Sequence, residues 1–183
     1  GFTYNGVTHV SWWHDEYGYP AATDSRRALA GTGAGWGGLL TTWYMERKSS
    51  NDVRPVANRS NDDEGVRRAI DEMHALGLKV MLKPHVDVED GTGRAQIEPT
   101  RPDRWFESYA AFMDHHVAIA VEKKVEMLCI GTELASMSGS RYSAQWASLI
   151  ARIRSRYAGL LTYAANGVEP ADEFTSVSFW GQA

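Results

Sequence analysis

Cysteine is nearly absent from this chain. Cys129 is the only one in 183 residues, so no internal disulfide can form, and its place in an apolar run makes it a small core hydrophobe. No apolar stretch approaches the roughly 18 residues of a membrane-spanning helix. A basic excess is missing too: the net charge is −4, which leaves no electrostatic footprint for nucleic acid. There is no linker, low-complexity tract or second-domain boundary, so residues 1–183 read as one domain with a sizeable core. The chain starts at Gly1 and stops after Phe179, Trp180, Gly181, Gln182 and Ala183 without a terminating signal. Both ends read as cut, and the lack of a signal peptide then says nothing about secretion.

What the sequence does contain is a repeated grammar of strand, helix, strand. A first strand is expected over residues 6–12, with Val7, His9 and Ser11 alternating against Thr8, Val10 and Trp12. Thr23 and Asp24 are placed to cap a helix that Gly31 ends. Residues 39–44 read as the second strand, and 46–59 as a polar surface loop. Asn61 then stands as an N-cap, with Glu64 three residues on and Asp62 and Asp63 at the positive end of the dipole. Val66, Ala69, Ile70, Met73 and Leu76 share one face, and Gly77 fits the C′ position. A third strand follows over 78–86.

Pro102 opens the next helix, with Trp105, Tyr109, Phe112, Met113 and Val117 on its apolar side. Ser143 opens another, with Trp146, Leu149, Ile150 and Ile153. They lead into and out of a run through Val125, Met127, Leu128, Cys129 and Ile130, whose near-continuous apolar character marks a strand buried on both faces. Residues 160–165 make a fifth. Alternation this regular argues for right-handed crossovers and a parallel sheet. A closed (β/α)8 TIM barrel takes eight strands over about 250 residues. The chain reads as the first five βα units of one, although an open five-stranded sheet has the same period.

Chemistry gathers where the strands end. Glu133 follows the buried run directly, and a carboxylate at the exit of a parallel strand has no packing role. In α/β barrels the reactive groups come from these carboxyl ends. The first exit offers Trp12, Trp13, His14, Asp15 and Glu16, and the second Trp43 and Tyr44. The third offers Lys83, His85 and Asp87, then Glu89, Asp90 and Arg94; the fifth offers Tyr163 and Asn166. Carboxylates, aromatic rings and hydrogen-bonding groups on one rim suit a sugar, whose faces stack on rings while its hydroxyls need paired polar groups.

Other polar and aromatic residues read as structural. Trp36, Trp105 and Trp146 sit at core positions, whereas Trp12, Trp43 and Trp180 are better placed as platforms. His74, His115 and His116 lie in helices and are expected at their surface. His85 and Asp87, two apart on a strand, share a face and could grip a metal. No third ligand accompanies them, so hydrogen bonding to a sugar is the better reading, with no metal or cofactor.

Four segments in order carry a resemblance. They are LKVMLKPHVD from Leu78 to Asp87, WFESY from Trp105 to Tyr109, IGTEL from Ile130 to Leu134 and LTYAAN from Leu161 to Asn166. Together they resemble glycoside hydrolase family 113, retaining endo-β-1,4-mannanases on a clan A TIM barrel. The likeness runs from about Gly6 to the last residue.

The resemblance implies a glutamate acid/base after strand four, matched by Glu133, and a nucleophile after strand seven, beyond Ala183. Without that partner the 183 residues alone are expected to be inactive. It also implies that His85, Asp87, Arg94, Tyr163 and Asn166 line the sugar subsites, with Trp12 and Trp43 matched more loosely. The expected partner is a β-linked oligo- or polysaccharide, and family members make a secreted or cell-surface location reasonable.

Two departures stand out. Gly93 occupies a position that is commonly tryptophan in the family, and Thr132 one that is asparagine in many clan A enzymes. A non-catalytic carbohydrate-binding barrel and a glycosidase for another β-glycan are the alternatives.

Overall fold

The computed structural model describes residues 4–11 and 13–166. Strands β1 (Gly6–His9), β2 (Trp36–Met45), β3 (Lys79–Val88), β4 (Met127–Thr132) and β5 (Leu160–Ala164) form one parallel sheet in the order β1-β2-β3-β4-β5. One helix serves each crossover: α1 (Pro20–Gly31), α2 (Asp63–Ala75), α3 (Pro102–Glu122) and α4 (Ser143–Arg154). The sequential order identifies the architecture. A doubly wound sheet reverses its order at a switch point. Right-handed crossovers taken in strict sequence instead keep all helices on one side. The result is an arc of a TIM barrel, with five of its eight strands and the four helices between them. No helix among the described residues is long and apolar enough to cross a membrane.

Alternation along β2 divides the two faces. On the helix side, a Cβ on Gly37 would lie 2.9 Å from the Met73 sulfur. Thr41 Oγ1 is 2.9 Å from His116 Nε2, and the Trp43 and Phe112 rings are 5.4 Å apart. Gly38 faces the barrel interior, where a Cβ would meet Thr8 and Met81. The main core lies between sheet and helices. Leu39, Val80, Leu82, Leu128 and Ile130 pack there with Ile70, Met73, Phe112, Val117 and Ile150, all fully or almost fully buried. Each such side chain contributes about 1.5–3 kcal/mol on burial. Trp105 and Trp146 belong to this layer as expected. Trp36 is only half-buried at the foot of β2, with the Lys79 ammonium 5.6 Å from its ring centre.

Several local expectations need correction. α1 begins at Pro20, whose fixed φ suits the first helical position; Thr23 lies inside the helix and bonds to Glu72 of α2. Asp62, not Asn61, caps α2, its Oδ1 accepting from Gly65 N at 2.6 Å. Asn61 is spent on the neighbouring loop and strand, accepting from Thr42 N and donating to the Trp13 carbonyl. Gly77 does take the left-handed conformation expected after the helix, at φ +80. His116 is not at the surface. It is buried between α3 and β2, bonded to Thr41 and to the Phe112 carbonyl. His115 bonds Asp63 at 2.8 Å, and His74 bonds Glu126 at 3.1 Å.

Buried histidines make the fold sensitive to acid. Burial pushes His116 down to about 4 from 6.5. His9 is also lowered, by burial and then by the Arg26 guanidinium, which lies 3.3 Å from its Nε2. The unfolded chain takes up protons at these sites that the folded one refuses. Their stabilisation is therefore complete above about pH 6.5 and is lost as the pH falls toward the folded values. The urea midpoint should drop between about pH 7 and about pH 5. His116→Gln should recover part of that difference, and equal midpoints for the parent chain would contradict it.

Candidate active site

The exit of β4 departs from regular strand geometry. Cys129 pairs with Thr162 and Thr132 with Ala164, so Ile130 and Gly131 together stand opposite Tyr163. Such a bulge re-aims the residues that follow it. Glu133 then takes φ +53, a left-handed conformation that costs a non-glycine residue roughly 1 kcal/mol or more. Its N–H donates to the Ala164 carbonyl at 2.7 Å. The next N–H, of Leu134, donates to the Tyr163 hydroxyl at 3.0 Å.

Arg94 receives the carboxylate. It opens a 3-10 turn, Arg94–Gln96, beyond the end of β3. Nη1 lies 3.1 Å from Glu133 Oε2, Nη2 donates to Asp87, and Nε donates to the Val86 carbonyl at 3.1 Å. A planar fork of fixed donors can serve three acceptors at once, as an ammonium cannot. The Glu133 side chain remains 42% exposed, so the contact with Arg94 leaves it open to a ligand.

His85 lies one strand period deeper on the same face as Asp87, as the alternation of β3 predicts. It is buried, and its Nε2 has no hydrogen-bond partner among the described residues. Burial, with Arg94 and Lys83 nearby, pushes the imidazole down to about 3, so it is neutral at ordinary pH. Among the described residues no group of three or more His, Cys, Asp or Glu is placed to hold a metal ion.

Glu133, Arg94 and Asp87, but not the deeper His85, line a cavity of about 720 Å³, a size typical of small-ligand sites. Asp87, Arg94, Glu133 and Asn166 line one part of its wall, and Trp13, Tyr44 and Arg59 another. Trp43 is not brought to it: that ring packs on the helix side against Phe112, His115 and His116. Tyr163 lies across Gly131, with its hydroxyl committed to Leu134 N. Trp12 and Trp180 fall outside the described residues. Arg59 is a charged wall residue that sequence reasoning missed. It stacks 4.3 Å over the Tyr44 ring and is held by Glu89 at 2.9 Å. Nothing local announces it, because an antiparallel bridge between Tyr44 and Arg54 folds its loop back onto the strand. Gly93 also lines the cavity, and a Cβ there would meet nothing within 4 Å.

Known proteins share this fold. A β-mannanase of family GH113, AaManA from Alicyclobacillus acidocaldarius, solved in complex with ManMIm, superposes with a TM-score of 0.90 at 30% identity over 100% of this chain. Two further GH113 β-1,4-mannanase structures, one of them a complex, give TM-scores of 0.87 at 28% and 30% identity over 99% and 97% of the chain. The chain spans 59–60% of the length of these three proteins. No curated protein matches it. The sequence model of Glycoside Hydrolase Family 113 matches residues 4–182, nearly the whole chain, which therefore belongs to that family.

Proposed function

We propose that this chain is part of a retaining endo-β-1,4-mannanase in which Glu133 is the general acid/base. The observation that carries this reading is a carboxylate at the exit of β4, held in a strained conformation yet open to a cavity of ligand size. Likeness to solved β-mannanases over the full chain supports mannan as the substrate.

In the first step Glu133 gives its proton to the glycosidic oxygen as the bond to the anomeric carbon breaks. A second glutamate, from a seventh strand outside the described residues, attacks that carbon and forms a glycosyl ester. Glu133 then takes a proton from water, whose oxygen displaces the ester. Retention calls for the two carboxyl groups to stand about 5–5.5 Å apart. On this reading the 183 residues alone do not hydrolyse glycans. Asp87, neutral His85 and Asn166 offer hydrogen bonds to sugar hydroxyls, while the exposed Trp13 offers a ring face.

A chain carrying the complete barrel tests the assignment. Glu133→Gln should lower mannan hydrolysis by about 100-fold or more while mannooligosaccharide binding persists. Unchanged turnover would remove Glu133 from the chemistry. A wild-type barrel that binds glycans but cleaves none of a β-glycan panel would instead be a binding protein, and preference for a different glycan would reassign the substrate. The open wall at Gly93 gives a second expectation. Gly93→Trp should tighten oligosaccharide binding by about 2- to 10-fold through ring stacking, and calorimetry showing weaker or unchanged affinity would exclude a subsite there.

A further inference from the structure

We propose that Tyr163 and Gly131 are positioning residues, which together hold the left-handed turn that aims the Glu133 carboxyl group. The inference rests on the acid/base reading of Glu133 for its functional meaning, but its structural half stands apart from it. An extended backbone would continue the alternation of β4 and send the Glu133 side chain to the side of Gly131, toward Trp146 in α4. The left-handed φ brings it to Arg94 instead. A conformation of this kind persists only where its surroundings over-determine it.

Two contacts oppose relaxation of the turn. The bond from Glu133 N to the Ala164 carbonyl is backbone to backbone and would form with any residue at 164. The bond from Leu134 N–H to the Tyr163 hydroxyl depends on the side chain, because only tyrosine sets a phenolic oxygen at that spot. The ring places that oxygen by lying close on the β4 backbone. A Cβ built on Gly131 would be 2.7 and 2.9 Å from two Tyr163 ring carbons and 3.1 Å from the Trp146 ring. Gly131 is not among the positive-φ residues. Its lack of a side chain therefore answers the approach of the ring, not a dihedral requirement.

The contact has firm backing. Trp146 is fully buried, stands nearly perpendicular to Tyr163 at 6.1 Å between ring centres, and donates Nε1–H to the Met137 carbonyl at 2.8 Å. Ring and bulge thus fit as one unit, and its tip determines where the Leu134 amide, and with it Glu133, can sit. Tyr163 carries no part of the cavity wall described above. That gives it a different use from the sugar contact implied by the family resemblance.

Two variants in a chain carrying the complete barrel test this. Tyr163→Phe keeps the ring and removes the acceptor; Gly131→Ala keeps the hydroxyl and displaces the ring. Each should lower kcat by about 5- to 10-fold, the value of one hydrogen bond in the reacting geometry, with KM held within about twofold. In each, the amide–Hα coupling and carbon shifts of Glu133, read by NMR, should leave the left-handed range.

A Tyr163→Phe enzyme with raised KM and unchanged kcat would make Tyr163 a sugar contact and overturn the proposal. An unchanged Glu133 φ in both variants would overturn it as well. If the wild-type barrel hydrolyses no glycan, the acid/base reading fails, and the NMR measurement alone still decides whether Tyr163 and Gly131 hold the turn.

Discussion

Strands β3 and β4 are joined by hydrogen-bonded register at only two positions, Met81 with Met127 and Leu82 with Leu128. Above Leu82 the ladder stops, and the two strand ends that carry Asp87 and Glu133 are not tied by backbone. Arg94 makes the connection that the ladder does not. Its three donating nitrogens reach a β3 carbonyl, the Asp87 carboxylate and the Glu133 carboxylate. Asp87 and Glu133 stand on the two sides of the opening that this leaves at the rim. Without the guanidinium, two carboxylates would face one another across that opening with no fixed separation. The shape of the cavity depends on this one side chain.

The scaffold beneath makes such an opening tolerable. β2 and β3 pair over ten residues, from Trp36 with Lys79 to Met45 with Val88, and their helix side is filled by fully buried Leu39, Met45, Val80 and Leu82. Arg26 is fully buried as well, yet it is satisfied by Glu72 at 2.5 Å and the Tyr17 carbonyl at 3.1 Å. Buried charge is costly unless its partners are in place, and here they join α1 to α2. The register shift between β4 and β5 lies toward the carboxyl end of β4.

Much of this was legible from periodicity. The five strands, the four helices and the left-handed glycine after α2 follow from patterns of apolar spacing and turn residues, and Glu133 stands out as a carboxylate at a strand exit. Choices between neighbours were less so. Asn61 and Asp62 are both good caps in isolation, and Asn61 loses the role because Thr42 and Trp13 compete for its amide. His116 sits on a helix that looks amphipathic either way, and only a facing Thr41 explains its burial. Trp43 and Tyr44 are adjacent aromatics at the same exit. Which one enters the barrel follows from the phase of β2, fixed by how Gly37 and Gly38 meet α2 and the interior. Arg59 had no local signal at all, since a loop fold brings it to Tyr44.

The left-handed backbone at Glu133 was equally hidden, because no sequence pattern marks a strained glutamate. Its physical sense lies in what an acid/base must do. The same carboxyl group has to meet a leaving oxygen in one step and a water in the next, and small displacements at such a site are expensive in rate. A residue on an extended strand end could swing with its χ angles over a wide arc. Three constraints narrow that arc here: the bulge sets where the turn begins, the bonds to Ala164 and Tyr163 set its backbone, and Arg94 meets the carboxylate from β3. Energy stored in one unfavourable φ is thus balanced by contacts from both neighbouring strands. The precision belongs to the β3–β4–β5 unit and does not depend on Glu133 alone.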